Sequence, residues 1–162
     1  MNSARKILVF GGIALATLGM LYGLYYAVFV EHQTLDRMGE SLTGAFVRAA
    51  ERRLPEAHVA VNAYAATKYD YVRQVDMHSH WIVLALILIV LGVAFDRVGF
   101  NQRNRFCIAV ALLLGSFLFP LGVILQTVHH GGALPSALAI AGSALVTLAL
   151  AVAAFGFSRV TA

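Results

Sequence analysis

The stretch DMHSHWIVLALILIVLGVAF, residues 76–95, decides how this chain folds. A polar cluster, Asp76 to His80, opens an apolar run of 15 residues from Trp81 to Phe95, and Asp96 closes it. A helix needs roughly 20 residues to cross the hydrocarbon core, so a span here must borrow the turn before it and runs over 77–96. That places Asp76, His78 and His80 at the membrane boundary. Ionisable groups are costly there unless they are partnered or wet, which makes them the first candidates for function.

Working outward, three further apolar runs, 7–30, 106–128 and 135–157, reach spanning length directly. The chain is 60% apolar and 12% charged, with a mean hydropathy of +0.78. Charged residues approach a quarter of a soluble domain, so the composition excludes one. The expected fold is all-α: an integral membrane four-helix bundle, one membrane domain over 1–162, with an amphipathic helical cap over 31–76 on the outer side. Arg5-Lys6, the apolar run and Ala14-Leu15-Ala16 share features with a secretory signal. The run continues well past Ala16, so a retained first span is expected. Cys107 is the only cysteine and rules out a disulfide framework.

Four spans put both termini and the loop 96–105 on one side. That side carries Arg5, Lys6, Arg97, Arg103, Arg105 and Arg159 against the single acid Asp96, and by the positive-inside rule it is cytoplasmic. The other side balances six basic residues against seven acids. Topology therefore accounts for the net charge of +4, and no nucleic-acid surface is needed. All six histidines (His32, His58, His78, His80, His129 and His130) fall on the outer side.

Leu35, Met38, Leu42, Phe46 and Ala49 recur at steps of three or four between charged residues, which predicts an amphipathic helix lying on the membrane or against the bundle. Pro55 suits the first turn of a second helix, and no proline or glycine follows before Gly92, so that helix can continue into the second span. In the first span Gly19 and Gly23 have the spacing that lets helices approach closely. Pro120 predicts a kink in the third. The fourth, rich in small residues, carries no evident chemistry.

Positions two apart on a helix point about 200° away from each other, so His78 and His80 cannot share one ion unless the helix starts after them. Small residues, Ala85 and Gly92, continue the face of His78, while the face of His80 is bulky. Seven and fourteen residues before His129 stand Gly122 and Gly115. Antiparallel neighbours with these spacings would set His78 opposite His129, with Ala85 level with Gly122 and Gly92 with Gly115. Two imidazoles at one depth over flat small-residue surfaces suit the axial ligation of haem b. His80 and His130 are the alternates, and Asp76 is placed to accept an imidazole N–H from His80.

The His-x-His helix start, the aliphatic run to Leu91-Gly92 and the segment GSFLFPLG from Gly115 to Gly122 resemble small uncharacterised bacterial four-helix membrane proteins. More distantly they are similar to helices of the haem-copper oxidase and nitric oxide reductase catalytic subunit. The resemblance covers about 50 residues. It implies haem b ligation and respiratory electron transfer, with quinol as a possible partner. The further histidines of the oxidase active-site helices are absent, so autonomous oxygen or nitric oxide reduction is not expected.

Three readings follow. The first is a bacterial inner-membrane haem b protein, an electron-transfer or accessory subunit. The second is a copper or zinc site formed by His78, His80, His129 and His130 with Asp76 or Met77, serving metal delivery or oxidase assembly. The third is a structural subunit without a cofactor, in a homo-oligomer or with other membrane subunits. No Ser-His-Asp context, phosphate loop or zinc-protease motif points to hydrolysis.

Overall fold

Residues 2–159 are described by a computed structural model, and it is helical almost throughout. Helix α1, Ser3–Phe29, starts where the Asn2 side chain accepts the Arg5 N–H at 2.9 Å. This satisfies one of the free donors that every helix N-terminus presents. Only Val30 separates α1 from α2, Glu31–Ala50, and hydrogen bonds cross the junction from Val30 N to Tyr26 O and from Thr34 N to Val30 O. Helix α3, Leu54–Ala94, is 41 residues long, with proline in its first turn where no N–H is missed. A 3₁₀ turn, Phe95–Arg97, leads to α4, Gln102–Leu125, and a short connection leads to α5, Ala133–Ser158.

Helices α1, α3, α4 and α5 are long and apolar enough to cross a membrane. The chain is thus a multi-pass membrane protein, and the all-α four-helix reading holds. At 1.5 Å per residue α3 extends about 60 Å, twice the hydrocarbon thickness of about 30 Å, so about half of it stands clear of the bilayer. Helix α2 runs antiparallel along that half. The expected cap is therefore a two-helix stalk, and α2 lies neither on the membrane nor across the bundle. The continuity of α3 is the cause, since a helix without a break carries its direction out of the membrane.

At the stalk tip the turn is closed by Arg53 N to Arg48 O at 2.8 Å and Arg52 N to Ala49 O at 3.0 Å, with Arg52 at φ 59°. This is the left-handed helix ending in which the last carbonyls find donors beyond the helix. Arg53 bonds Glu51 and Glu56, and those bonds raise its pKa further. At the opposite end of the molecule, Asp96 accepts from Asn2 Nδ2 and from Arg5 Nη1, the latter at 3.3 Å. Gly99 N donates to Gly156 O at 2.9 Å. The two chain ends are thus tied to the loop that joins α3 and α4.

Within the membrane half, α1 packs on α3, both pack on α4, and α5 packs on α4. Leu8, Ala85, Leu88, Ala109 and Leu112 fill the three-helix core at 1% exposure or less. Small residues set the spacing. A Cβ on Gly12 would lie 2.9 Å from the Ala85 carbonyl oxygen, and one on Gly115 would lie 2.9 Å from the Gly142 carbonyl oxygen. Close backbone approach through small residues is a standard way for helices to associate in lipid, where no hydrophobic force drives them together.

Candidate functional site

The polar residues of the membrane half gather in a collar where α3 leaves the bundle for the stalk, over residues 69–81. One face of the collar meets α1. His78 Nδ1 is 2.8 Å from the Gly19 carbonyl oxygen, and its ring lies across Gly23 so closely that a Cβ there would be 2.6 Å from Nδ1. The carbonyl can only accept, so Nδ1 is the donor in this contact. Tyr22 donates to Gln74 Oε1 at 3.2 Å and stands edge-on to Trp81. Tyr71 donates to Glu31 Oε1 at 3.4 Å at the start of α2.

The other face meets α4 and the α4–α5 connection. Tyr69 donates to Gln126 Oε1 at 3.2 Å, and His130 Nε2 lies 2.9 Å from Asp70 Oδ1. The His80 ring stands edge-on to Phe119 with centroids 4.7 Å apart, and Trp81 stacks on Phe117. His80 Nδ1 pairs with the backbone carbonyl of Asp76 at 2.5 Å. The expected partner, the Asp76 carboxylate, is not the one used, because the carbonyl four residues back lies directly under the ring. Two buried polar atoms, Trp81 Nε1 and Ser116 Oγ, have no hydrogen-bond partner among the described residues. Pro120 has no N–H, so the Ser116 carbonyl also loses its usual helical donor.

These contacts overturn the pairing of His78 with His129. The bond between Asp70 and His130 and that between Tyr69 and Gln126 set the end of α4 level with residues 69 and 70 of α3. His78 lies eight residues farther along, about 12 Å at the helical rise. Two ligands to one iron must flank it at one depth, and these two do not. The small residues expected to line the gap are also occupied. Gly92 packs on Leu8 and Val9 of α1, Gly115 on Val146 and Gly142 of α5, and Gly122 on Pro135 and Ala139 of α5. Ala85 faces Gly12.

His129 is exposed in the α4–α5 connection, and Gly132 N bonds its carbonyl at 2.9 Å. Among the described residues no group of three or more His, Cys, Asp or Glu side chains converges as a metal site would require. Four described grooves, of about 250 to 520 Å³, are lined without a histidine, and a fifth, of about 320 Å³ near the stalk tip, includes only His58. Sequence reasoning missed Tyr69, Asp70 and Gln126. A tyrosine and an acid at a helix's entry to the membrane, with one glutamine at the end of another span, were the signal that would have paired them.

Fold and collar together define a class, a four-span helical membrane protein bearing a two-helix stalk. No protein-family model, curated protein or solved structure matches the chain.

Proposed function

We propose that this chain is an accessory subunit of a bacterial cytoplasmic-membrane assembly and that its stalk is the part that engages other chains. The distribution of Lys and Arg supports cytoplasmic termini and a stalk on the outer side. One observation carries the reading. The stalk is only a pair of helices, yet Leu42, Phe46, Leu54 and Val61 lie exposed around one groove on it, Phe46 at 68%. A pair of helices this small buries too little to leave apolar side chains in water without need, and contiguous exposed apolar surface marks an interaction site.

The test is native mass spectrometry of the full chain released in lipid. The expected result is an assembly heavier than one 17.4 kDa chain, which a Leu42→Glu, Val61→Glu double variant loses while remaining helical. A single chain in both samples overturns the reading.

A haem b electron-transfer role keeps one supporting observation. His78 and His80 each engage a backbone carbonyl through Nδ1, which is how outer partners orient a ligating imidazole and leave Nε2 for a metal. The pair His78 and His129 does not fit one haem, so this reading needs a single chain histidine and a second ligand from elsewhere. A dithionite-reduced minus oxidised spectrum tests it. A Soret band abolished by His80→Ala or His78→Ala would bring this reading forward, and a spectrum featureless after haem addition would remove it. Copper or zinc binding rests on the same Nδ1 contacts, and metal analysis after mild purification tests it.

A further inference from the structure

We infer that the groove between α4 and α5 at the basic end of the bundle seats an anionic diacyl phospholipid, one acyl chain along the groove and the phosphate on Arg103 and Arg159. The groove follows from how the two helices pack. From the middle of the bundle to the collar their backbones touch, where Gly115 meets Gly142 and Val146 and Gly122 meets Pro135 and Ala139. Toward the other end the glycine contacts change partner, and Gly156 meets Val98 and Phe100 of the α3–α4 connection. Between these two regions Cys107, Ala111, Leu145, Leu148 and Val152 border a groove of about 250 Å³. It opens on the surface of the bundle, with Leu148 at 66% exposure, and no ionisable side chain other than the Cys107 thiol borders it.

The mouth of the groove is cationic at helical spacing. Arg159 follows Val152 by two turns of α5, and Arg103 precedes Cys107 by one turn of α4, so each continues its own wall of the groove. The α3–α4 connection holds Arg159 in place. Gly99 N bonds Gly156 O at 2.9 Å, and a Cβ on Gly99 would lie 3.2 Å from the Arg159 Cβ. The Arg159 guanidinium sits over the Phe155 ring at 4.4 Å, a stacking that leaves its edge N–H groups for an anion. The one acid at this end, Asp96, bonds Asn2 and Arg5, and among the described residues neither Arg103 nor Arg159 has a carboxylate partner.

Charge selects the occupant. A helix of another subunit would bring further basic residues to this end, under the same rule that gathers them here. An anionic phospholipid brings the missing negative charge together with an apolar chain, and basic pockets between spans are where such headgroups bind. Depth agrees. Leu148 lies about 16 Å along α5 from Arg159, about half of a hydrocarbon thickness of about 30 Å, so a chain anchored at the arginines follows the groove within one leaflet. The site lies at the opposite end of the molecule from the stalk and stands independently of the accessory-subunit reading.

The test is native mass spectrometry of the full chain in detergent, with phosphatidylglycerol and phosphatidylcholine of identical acyl chains at equal concentration. One phosphatidylglycerol per chain is expected, retained about fivefold or more over phosphatidylcholine. Arg103→Gln and Arg159→Gln should each lower that retention about fivefold, the effect of one basic residue near the headgroups, while Lys6→Gln, on α1 and away from the groove, leaves it unchanged. Cys107→Phe, at an exposed position, fills the groove without removing a basic residue and should lower retention of both lipids at unchanged helix content. Equal retention of the two lipids overturns the proposal, as does a loss from the arginine variants no greater than from Lys6→Gln. Glycerol 3-phosphate binding as tightly as phosphatidylglycerol, or no effect of Cys107→Phe, removes the acyl seat and overturns it as well. A chain that carries a second polypeptide and no lipid in every sample does the same.

Discussion

Helix α3 solves the same packing problem twice, differently on each side of the membrane boundary. Inside the bilayer its neighbours approach through glycine: Gly12, Gly19 and Gly23 of α1 each meet it with no room for a Cβ. Along the stalk, a Cβ on Gly39 would meet nothing within 4 Å, and one on Gly44 only the Arg48 side chain. Water supplies a hydrophobic drive that holds the stalk through small buried side chains, Thr34, Ala45, Ala57 and Ala60, at ordinary spacing, whereas lipid supplies none and leaves backbone contact and dispersion to hold the helices. The membrane half is accordingly saturated with its own contacts. The stalk is not, and its apolar groove around Leu42, Phe46, Leu54 and Val61 stays exposed.

The sharpest way to break the contrast is a Cβ at the tightest membrane crossing. A side chain on Gly142 would meet the Phe119 backbone, with Cα at 2.7 Å, and backbone cannot swing aside. Gly142→Val is expected to cost about 3 kcal/mol or more, the upper range for overpacking, and to detach α5 from α4. Unfolding in bicelles followed by circular dichroism measures it. A loss of less than about 1 kcal/mol would mean that the α4–α5 backbones stand farther apart than described.

A milder effect is expected at Gly23, where the obstacle is the His78 ring and not backbone. Gly23→Ala pushes the ring off its seat and breaks the bond from Nδ1 to the Gly19 carbonyl, for about 1–2 kcal/mol, the range for one hydrogen bond and a local shift. The readout is the His78 Nδ1 proton in the nitrogen-15 spectrum. It should vanish or move in the variant while His80, anchored within α3, is unchanged. An unaltered His78 resonance would show that its ring does not rest on α1.

How far this was legible from sequence follows from the same contrast. Composition and run length announce spans, because the solvent itself imposes them, and the absence of proline or glycine from Glu56 to Leu91 foretold the unbroken α3. Which glycine faces which helix was not legible. A stripe such as Gly115 and Gly122 reads the same whether its neighbour is α3 or α5, and periodicity fixes a face without naming the partner. The histidines were misplaced for a related reason. Equal spacings on two helices do not set their relative height, and the height was fixed by Tyr69 with Gln126 and by Asp70 with His130, pairs 57 and 60 residues apart in sequence.

The smallest effect sharpens the stalk alone. Arg52 holds a positive φ that L-residues adopt at a cost of about 1–2 kcal/mol and glycine adopts freely, and its own amide already serves the turn by bonding Ala49 O. Arg52→Gly should therefore stabilise the hairpin by about 1 kcal/mol, part of the relief being offset by the larger freedom of glycine in the unfolded chain. Amide hydrogen exchange near the tip, over residues 45–57, is expected to slow by about fivefold, which corresponds to that free energy, with the membrane half unchanged. Slowing throughout the chain would show that stalk and bundle unfold as one unit. Faster exchange at the tip would assign the Arg52 side chain a contact worth more than the strain it imposes.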